Sequence, residues 1–268
     1  MPEGDTLHKL AARLQAPLGE ATIVSATGRE QGELRQPVGE SVTSIRAVGK
    51  NLLIELTGGW TFRVHLGIGG SCRVFDRSDR DRRPGPTVTL VIATERHEVV
   101  FFKAPKARLM RTAHVRAEPG LRHLGQDLLG DDVDYDALLA RLRKPRRAAS
   151  PVGEVLLDQR VAAGIGNVFK CEVLFLAHVD PWAKVSSLQD DVLRRMYEQS
   201  RDLMQQSVAN GMRITVPAEI RKRGERNWVY GRTGARCFRC GTTITSKRQG
   251  DQARMTYWCP GCQRLGKR

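Results

Sequence analysis

The chain carries the segments Cys237-Phe-Arg-Cys240 and Cys259-Pro-Gly-Cys262 in its last quarter, separated by 18 residues. Two Cys-x-x-Cys pairs at this spacing can present four thiolates to one tetrahedral Zn²⁺, as in structural zinc sites. Four cysteine ligands leave no coordination position for water. The sequence therefore predicts one structural zinc ion held by a β-hairpin, and not a catalytic metal centre.

The cysteine pairs lie in the most basic part of the chain. Residues 221–268 contain 13 Lys and Arg but only two acidic residues, a formal net charge of +11 out of +15 for the whole protein. Residues 1–124 carry about +6 and residues 125–220 about −2. This uneven distribution favours a dedicated surface for a polyanion, and nucleic acid over an anionic membrane.

The composition is that of a globular protein. With 268 residues, of which 40% are hydrophobic and 27% charged, the chain can form two or three domains with separate cores. No apolar run has the length of a bilayer span, and the opening MPEGDTLHKL lacks the apolar core of a signal peptide. We therefore expect a cytoplasmic protein, in which clustered cysteines bind metal rather than form disulfides.

Three kinds of pattern follow one another along the chain. Residues 4–16 have the apolar spacing of an amphipathic helix, and residues 21 to about 114 consist of short β-rich runs typical of a sandwich or barrel. A polar loop is predicted at 77–86. From about 118 to 210 the pattern is helical. The helices are expected at 134–143, 152–162, 167–176 and 187–209.

The N-terminal Met1-Pro2-Glu3-Gly4 allows two interpretations. Proline tolerates the first turn of a helix and acidic residues favour its positive end, so the segment could simply begin a helix. Alternatively, removal of Met1 would leave Pro2 with a secondary amine that is partly neutral near pH 7 and therefore nucleophilic. Attack on a sugar aldehyde carbon would give an iminium, and Glu3 could protonate the ring oxygen.

Two further segments are each ambiguous on their own. Gly164-Ile165-Gly166-Asn167 precedes an apolar helix, where glycines and helix N–H groups could approach a phosphate. An ordinary interhelical turn with an asparagine cap fits this segment equally well. Lys50 lies between two predicted strands at a hairpin tip, where most lysines are merely solvated.

Taken together, the chain resembles the Fpg/Nei family of bifunctional DNA glycosylases, which comprises formamidopyrimidine-DNA glycosylase and endonuclease VIII. The resemblance rests on six segments in family order: MPEGDT, RAVGKNLLI, RVHLGIGGSCRV, LLDQRVAAGIGNVFKCEVLF, WVYGRTGARC and QARMTYWCPGCQ. It implies an α+β multidomain fold. The expected domains are a catalytic β-sandwich with a flanking helix (1–122), a helix–two-turn–helix DNA-binding domain (123–220) and a zinc-finger β-hairpin (221–268).

The resemblance also implies roles for individual residues. Pro2 would be the Schiff-base nucleophile and Glu3 the proton donor. Lys50 would assist β-elimination and contact phosphate, and Arg254 would bind phosphate and assist δ-elimination. Asn167 would hold the DNA backbone. The remaining DNA-contact candidates are Gly164 and Gly166 of the turn, His65, Ile68, Lys106, Arg108, His123 and Glu172. His65 could instead be a core histidine, and Glu172 a surface charge.

The chain departs from the family pattern in three places. Many members have a second carboxylate at position six, where this chain has Thr6 beside Asp5. HLGIGG has Ile68 where formamidopyrimidine-type members have methionine, and the segment 212–227 is short for a loop that caps an oxidised purine. The sequence thus favours the endonuclease VIII branch of the actinobacterial GDT-starting type, with oxidised pyrimidines and abasic sites as substrates.

The predicted function is therefore a base-excision-repair glycosylase and AP lyase that acts as a monomer on damaged double-stranded DNA, without a nucleotide cofactor or a membrane. An oxidised-purine glycosylase of the same family is the nearest alternative. A non-catalytic zinc-finger damage-binding protein would need neither the Pro2 terminus nor Lys50. A zinc-ribbon RNA or ribosome-associated factor would explain only the charge and the cysteines.

Overall fold

The computed structural model describes residues 2–78, 85–221 and 224–264. The chain divides into two compact units, Met1–His123 and Leu124–Arg268. The second unit contains both the helical part and the cysteine hairpin. The initiator Met1, residues 79–84 of the predicted polar loop and residues 222–223 of the basic stretch lie outside the described residues.

The first unit consists of helix α1 (Gly4–Leu18), a short helix α2 (Thr112–Val115) and two antiparallel sheets. The strands are β1 (Ser25–Gly28), β2 (Gly32–Glu33), β3 (Val42–Val48), β4 (Asn51–Leu56), β5 (Trp60–His65), β6 (Ser71–Asp76), β7 (Val88–Ala93), β8 (His97–Phe102) and β9 (Lys106–Arg111). One sheet has the strand order β2-β1-β7-β8-β6 and the other β3-β4-β5-β9.

Both sheets and α1 contribute to one hydrophobic core. In β4 the side chains of Leu52, Ile54 and Leu56 belong to this core, as the two-residue period of a strand requires. Helix α1 adds Leu7 and Leu14, which are fully buried. The predicted β-sandwich with a flanking helix is therefore confirmed. The opposite face of β4, β5 and β9 carries the buried Leu53 together with most of the polar residues of these strands.

The second unit is mainly helical. Its helices are α3 (Tyr135–Leu142), α4 (Pro145–Ala148), α5 (Val152–Val155), α6 (Asn167–Leu176) and α7 (Asp190–Ala209), with a 3₁₀ turn at Val185–Ser187. Its strands are the parallel pair β10 (Gln126–Asp127) and β11 (Ala162–Ala163), and the antiparallel hairpin β12 (Thr245–Gln249) and β13 (Arg254–Trp258). Every helix of the described residues is too short or too polar to span a lipid bilayer.

The prediction of one helix over 152–162 is wrong, because α5 ends at Val155. The chain then turns twice before α6. The Gln159 side chain accepts a hydrogen bond from the Gly164 amide at 3.1 Å and donates one to the Ile165 carbonyl at 3.0 Å. Gly164 has a φ of +112°, which a residue with a side chain rarely adopts. These local contacts replace helix hydrogen bonds and direct the chain into α6.

Helix α6 lies between two cores of the second unit. Phe169 and Val173 pack into the helical core, whereas Cys171 and Phe175 pack against the zinc-finger segment. The Phe175 and Trp228 rings are 5.2 Å apart. A helix that is buried all round must be apolar on every face, so its few polar residues need specific partners.

Candidate active site and nucleic-acid interface

The predicted nucleophile and acid lie at the start of α1. Pro2 is half-buried, and Glu3 is fully buried as the N-cap residue of the helix. The Glu3 carbonyl accepts hydrogen bonds from the amides of Thr6 at 3.0 Å and Leu7 at 3.3 Å. The helix therefore fixes the backbone that connects Pro2 to the Glu3 carboxylate.

Thr6, which departs from the carboxylate that the family resemblance implies at this position, belongs to this cap. Its hydroxyl accepts a hydrogen bond from the Glu3 amide at 3.3 Å and donates one to the buried Asp5 carboxylate, also at 3.3 Å. Lys9 Nζ lies 3.2 Å from the same carboxylate. The residue that departs from the family pattern thus stabilises the helix start, as expected for a capping-box hydroxyl.

Lys50 lies at the tip of the β3–β4 hairpin. Gly49 and Lys50 form the two-residue connection between the paired residues Val48 and Asn51. Gly49 has a φ of +57°, as the first residue of a type II′ turn requires. The side-chain amide of Asn51 donates a hydrogen bond to the Val48 carbonyl at 3.2 Å across the turn. Lys50 therefore projects from a closed hairpin and not from a loose loop.

A basic surface surrounds this hairpin on the polar face of the four-stranded sheet. In register, His65 of β5 lies opposite Lys106 of β9, and Arg63 lies opposite Arg108. Glu118 is the carboxylate that pairs with both arginines, at 2.5 Å from each. We call Lys50, Arg63, His65, Lys106 and Arg108 the basic corner of the first unit. The net positive charge of these residues favours the binding of a phosphate group.

His65 is part of this corner and not of the hydrophobic core, so its interpretation as a core histidine is wrong. It is half-buried, and its Nδ1 lies 2.8 Å from the Lys50 carbonyl oxygen. A carbonyl can only accept, so Nδ1 carries the proton. Burial lowers the pKa of His65, the bond to Lys50 opposes this, and the nearby positive charges of Arg63, Lys50 and Lys106 lower it further. The ring is therefore neutral at pH 7, with Nε2 as an acceptor.

Two other candidates of the first unit are exposed. Ile68 is 64% exposed in the loop after β5, an unusual position for a large apolar side chain. This loop is tight, because Gly70 donates to the Leu66 carbonyl at 2.9 Å and a Cβ on Gly70 would lie 2.2 Å from that oxygen. His123 is also exposed, and Arg122 donates to its Nε2 at 2.8 Å.

Asn167 is the first residue of α6, and the cap position is occupied by Gly166. The alternative of an asparagine cap is therefore wrong. The buried Asn167 side chain instead donates to the Met255 carbonyl at 2.7 Å. Met255 follows Arg254 in β13, so the glycine turn and the strand that carries Arg254 are bound to each other within the second unit.

A second polar connection joins α6 to the hairpin. The buried Lys170 Nζ lies 2.6 Å from the Thr256 hydroxyl, which lies 2.8 Å from Gln249 Oε1. An ammonium can only donate, so the Thr256 hydroxyl accepts from Lys170 and donates to Gln249. Gln249 Nε2 in turn donates to the Pro181 carbonyl at 2.7 Å. These bonds fix the strand next to Arg254, which is half-buried.

Glu172 is fully buried, so its interpretation as a surface charge is wrong. Its carboxylate accepts hydrogen bonds from the amides of Trp228 at 2.7 Å, Val229 at 3.0 Å and Tyr230 at 2.8 Å, and from the Thr215 hydroxyl. Burial raises the pKa of Glu172, and these four hydrogen bonds oppose the rise. Glu172 thus holds the segment that precedes the zinc finger.

The four predicted metal ligands lie together. The sulfur atoms of Cys237, Cys240, Cys259 and Cys262 are all within 4.8 Å of one another. The separations are 3.8 Å for Cys237–Cys262 and 3.4 Å for Cys240–Cys259 and Cys240–Cys262. A tetrahedral zinc ion with Zn–S bonds of about 2.3 Å places its sulfurs about 3.8 Å apart. The cluster can therefore bind a metal ion, and its donor set fits zinc.

Comparison with known proteins gives the family. The Formamidopyrimidine-DNA glycosylase N-terminal domain matches residues 1–110, and the Formamidopyrimidine-DNA glycosylase H2TH domain matches residues 124–217. Probable endonuclease 8 2 of Streptomyces coelicolor is 37% identical, over 98% of this chain and 94% of its own length. The chain belongs to the Fpg/Nei family.

Two further comparisons agree with this assignment. The DNA-(apurinic or apyrimidinic site) lyase Nei2 of Mycolicibacterium smegmatis is 33% identical over 98% of this chain and 99% of its own. A crystal structure of Lactococcus lactis Fpg with abasic-site DNA has the same fold, with a TM-score of 0.83 at 22% identity over 98% and 99% of the two chains. The predicted Fpg/Nei resemblance and its actinobacterial endonuclease 8 type are confirmed.

Sequence reasoning missed several residues that organise this Fpg/Nei protein. Arg63 stands in the middle of the β-rich run WTFRVHL, and Lys170 in the apolar helix VFKCEVLFL. A charged side chain inside an otherwise buried element requires a polar partner, so the sequence could have predicted a buried polar contact at both positions. Glu118 and Thr256 are 55 and 86 residues from the cations that they bind, and nothing in the sequence identifies them as partners. Asn51 is only 12 residues from Arg63 but lies on the neighbouring strand, so its contact depends on strand register.

Proposed function

We propose that this chain is a bifunctional DNA glycosylase and AP lyase of base-excision repair, with Pro2 as the nucleophile. The observation that carries the proposal is the start of α1, where a half-buried Pro2 precedes the fully buried Glu3 at a capped helix end. A pure DNA-binding protein has no need of this arrangement. The names of the endonuclease 8 and AP lyase relatives support the same reaction.

In the proposed reaction, the damaged nucleotide is first turned out of the duplex, which costs a few kcal/mol of unstacking. After removal of Met1, the neutral Pro2 nitrogen attacks C1′ and the bond from C1′ to the base breaks. The base leaves with the electron pair of that bond and takes up the proton of the Pro2 nitrogen. Glu3 then protonates the ring oxygen as the C1′–O4′ bond breaks, which opens the sugar and gives an iminium between Pro2 and C1′. The resulting iminium acidifies the C2′ protons, so that loss of one proton expels the 3′ phosphate.

Lys50 assists this β-elimination and contacts the phosphate. A second elimination then expels the 5′ phosphate, with Arg254 as the assisting residue. Water hydrolyses the remaining iminium and releases Pro2. The products are the free base, the sugar fragment and a one-nucleotide gap flanked by phosphates. Among the candidates for DNA contacts, Asn167, Gly164 and Gly166 would bind the backbone. Glu172 is better assigned to holding the segment 228–230.

We further propose one structural Zn²⁺ at the four cysteines, held without an open coordination position. Damaged double-stranded DNA is the proposed partner of a monomeric enzyme that needs no nucleotide cofactor and works in the bacterial cytoplasm. For the lesion we propose oxidised pyrimidines, in line with the endonuclease 8 relatives. Oxidised purines are the alternative, and the formamidopyrimidine relatives, such as that of Gluconobacter oxydans at 31% identity, support it.

Borohydride trapping with a duplex that contains one abasic site tests the nucleophile. Untagged protein without Met1, verified by mass spectrometry, should give a covalent adduct at Pro2. Pro2→Gly, or a tag retained before Pro2, should abolish the adduct at Pro2 while DNA binding persists. An active preparation whose adduct maps to another residue would refute the scheme. Cleavage of duplexes that each carry one defined oxidised base then decides between pyrimidines and purines.

A further inference from the structure

Arg63 is the buried cation of the basic corner. It is 2% exposed in the middle of β5, an environment in which an unpaired guanidinium is strongly unfavourable. Its Nε and Nη2 donate to Asn51 Oδ1 at 3.2 and 3.0 Å, and its Nη1 donates to Glu118 Oε1 at 2.5 Å. A Cβ on Gly120 would lie 2.3 Å from Arg63 Nη2, so the turn after Glu118 closes over the guanidinium.

Through Asn51, Arg63 is connected to the hairpin tip. Asn51 is 4% exposed and directly follows Lys50. Its Oδ1 accepts both bonds from Arg63, while its Nδ2 donates to the Val48 carbonyl on the other side of the turn. One side chain therefore closes the Gly49-Lys50 turn and anchors it to β5, with every bond directed from an N–H to an oxygen.

A second bond from β5 acts on the same tip. His65 is two residues after Arg63, on the same face of the strand, and holds the Lys50 carbonyl at 2.8 Å. The backbone on both sides of the Lys50 side chain is thus fixed by β5, with Arg63 acting through Asn51 and His65 acting directly.

We propose that Arg63 is a positioning residue for Lys50. It does not touch DNA, because it is buried behind the hairpin, but it holds the turn in the geometry that presents the Lys50 ammonium to the phosphate and to the elimination step. Glu118 neutralises the buried guanidinium and links it to Arg108 at 2.5 Å, so the same network orients the exposed end of β9. The inference rests on the proposed function of Lys50.

The test compares Arg63→Met with Arg63→Lys in single-turnover cleavage of a duplex with one abasic site. Arg63→Met should lower the rate of strand cleavage about 10- to 100-fold, as expected for a misplaced catalytic group. Formation of the borohydride-trapped Pro2 adduct should change much less. Arg63→Lys can reach Asn51 or Glu118 but not both, so it should restore part of the rate.

A double-mutant cycle with Lys50→Met separates positioning from general stability. If Arg63 acts through Lys50, Arg63→Met should cost at most about twofold in the Lys50→Met background. Arg46→Met is the matched control, because Arg46 pairs with Glu55 at 2.8 Å on the same hairpin but is largely exposed. It should leave the cleavage rate within about twofold of wild type.

Asn51→Asp covers the case in which Arg63→Met does not fold. It keeps an acceptor for Arg63 but loses the donor to Val48, so the protein should fold and still lose cleavage rate in the same way. Equal losses of Arg63→Met in both backgrounds, or wild-type rates in Arg63→Met and Asn51→Asp, would overturn the inference. Failure of the proposed function would look different, since the wild-type protein itself would then give no adduct and no cleavage.

Discussion

The side-chain amide of Asn167 donates a hydrogen bond to the main-chain carbonyl of Met255, with 2.7 Å between the two atoms. This bond joins the first residue of α6 to the strand that carries Arg254. An amide has two N–H groups, and the second is the one that we propose for a DNA phosphate. In this proposal Asn167 couples a DNA contact to the position of Arg254.

The first prediction concerns Asn167→Asp. A carboxylate cannot donate to the Met255 carbonyl and repels both that oxygen and a phosphate. We expect affinity for an abasic-site duplex to fall at least about tenfold, the effect of losing a hydrogen bond in a charged contact. Fluorescence anisotropy over a series of salt concentrations measures it. Gln189→Glu adds the same charge at an exposed position of the same unit and should change affinity much less.

The second prediction concerns the buried bonds from Lys170 through Thr256 to Gln249. Thr256→Val keeps the shape but removes the hydroxyl that serves both neighbours. We expect the free energy of unfolding to fall by about 1–3 kcal/mol, the penalty for leaving buried polar groups poorly paired. Thr256→Ser retains the hydroxyl and should cost about 1 kcal/mol or less. Equal effects of both variants in urea unfolding would contradict this account.

Much of the fold could be predicted from the sequence because its signals are local. Apolar spacing in α1 and the strand-like runs depend only on residues near in sequence, and the structure confirms them. The helix predicted over 152–162 is not formed as predicted, because apolar spacing does not report the hydrogen bonds of a polar side chain within the same segment. Its apolar residues are buried as expected, but the side chain of Gln159 binds the backbone of Gly164 and Ile165 and so favours turns over helix.

The residues of the candidate site likewise differ in how far the sequence predicts them. The spacing of the two cysteine pairs predicts a metal site, and the structure brings the four sulfur atoms together. The environment of Lys50 could not be predicted from the sequence. Arg63 contacts Asn51, the neighbour of Lys50, only because of strand register, and Glu118 contacts Arg63 from a distant turn. Thr6 was recognised as a departure from the family, yet its bond to the Glu3 amide depends on the local backbone geometry of the helix cap.

The third prediction is a pH dependence that originates in His65. Its pKa is lowered in the folded protein, so between the folded value and the unfolded value of about 6.5 the unfolded chain binds more protons. Stability from His65 is therefore full above about pH 6.5 and is lost as the pH falls below it. The loss is at most about 1.4 kcal/mol per pH unit.

His65→Asn tests this dependence, because an amide can still donate to the Lys50 carbonyl but does not titrate. Thermal or urea unfolding between pH 7.5 and 5 should show a smaller loss of stability for the variant than for the wild type. The two curves should converge towards the acidic end. Parallel curves over the whole range would mean that His65 is charged or accessible in the folded state, contrary to its burial.

The last prediction is that metal removal acts on DNA cleavage through the position of Arg254. The four thiolates approach one another within 4.8 Å, so without a cation they lose the bonds that hold the two ends of the hairpin together. Chelation, or Cys259→Ser, should abolish zinc binding, unfold the hairpin and lower cleavage of abasic-site DNA strongly. The metal content of the wild-type protein should be one zinc per chain.

Cys72→Ser is the matched control, since Cys72 lies outside the cluster and should keep both zinc and activity. Because the helical core of the second unit is formed by residues outside the hairpin, the rest of this unit should stay folded after zinc loss. Far-ultraviolet circular dichroism should therefore retain the helical signal while the near-ultraviolet signal of Trp228 changes. Full activity in protein with no bound metal would show that α6 alone is sufficient to hold Arg254 in place.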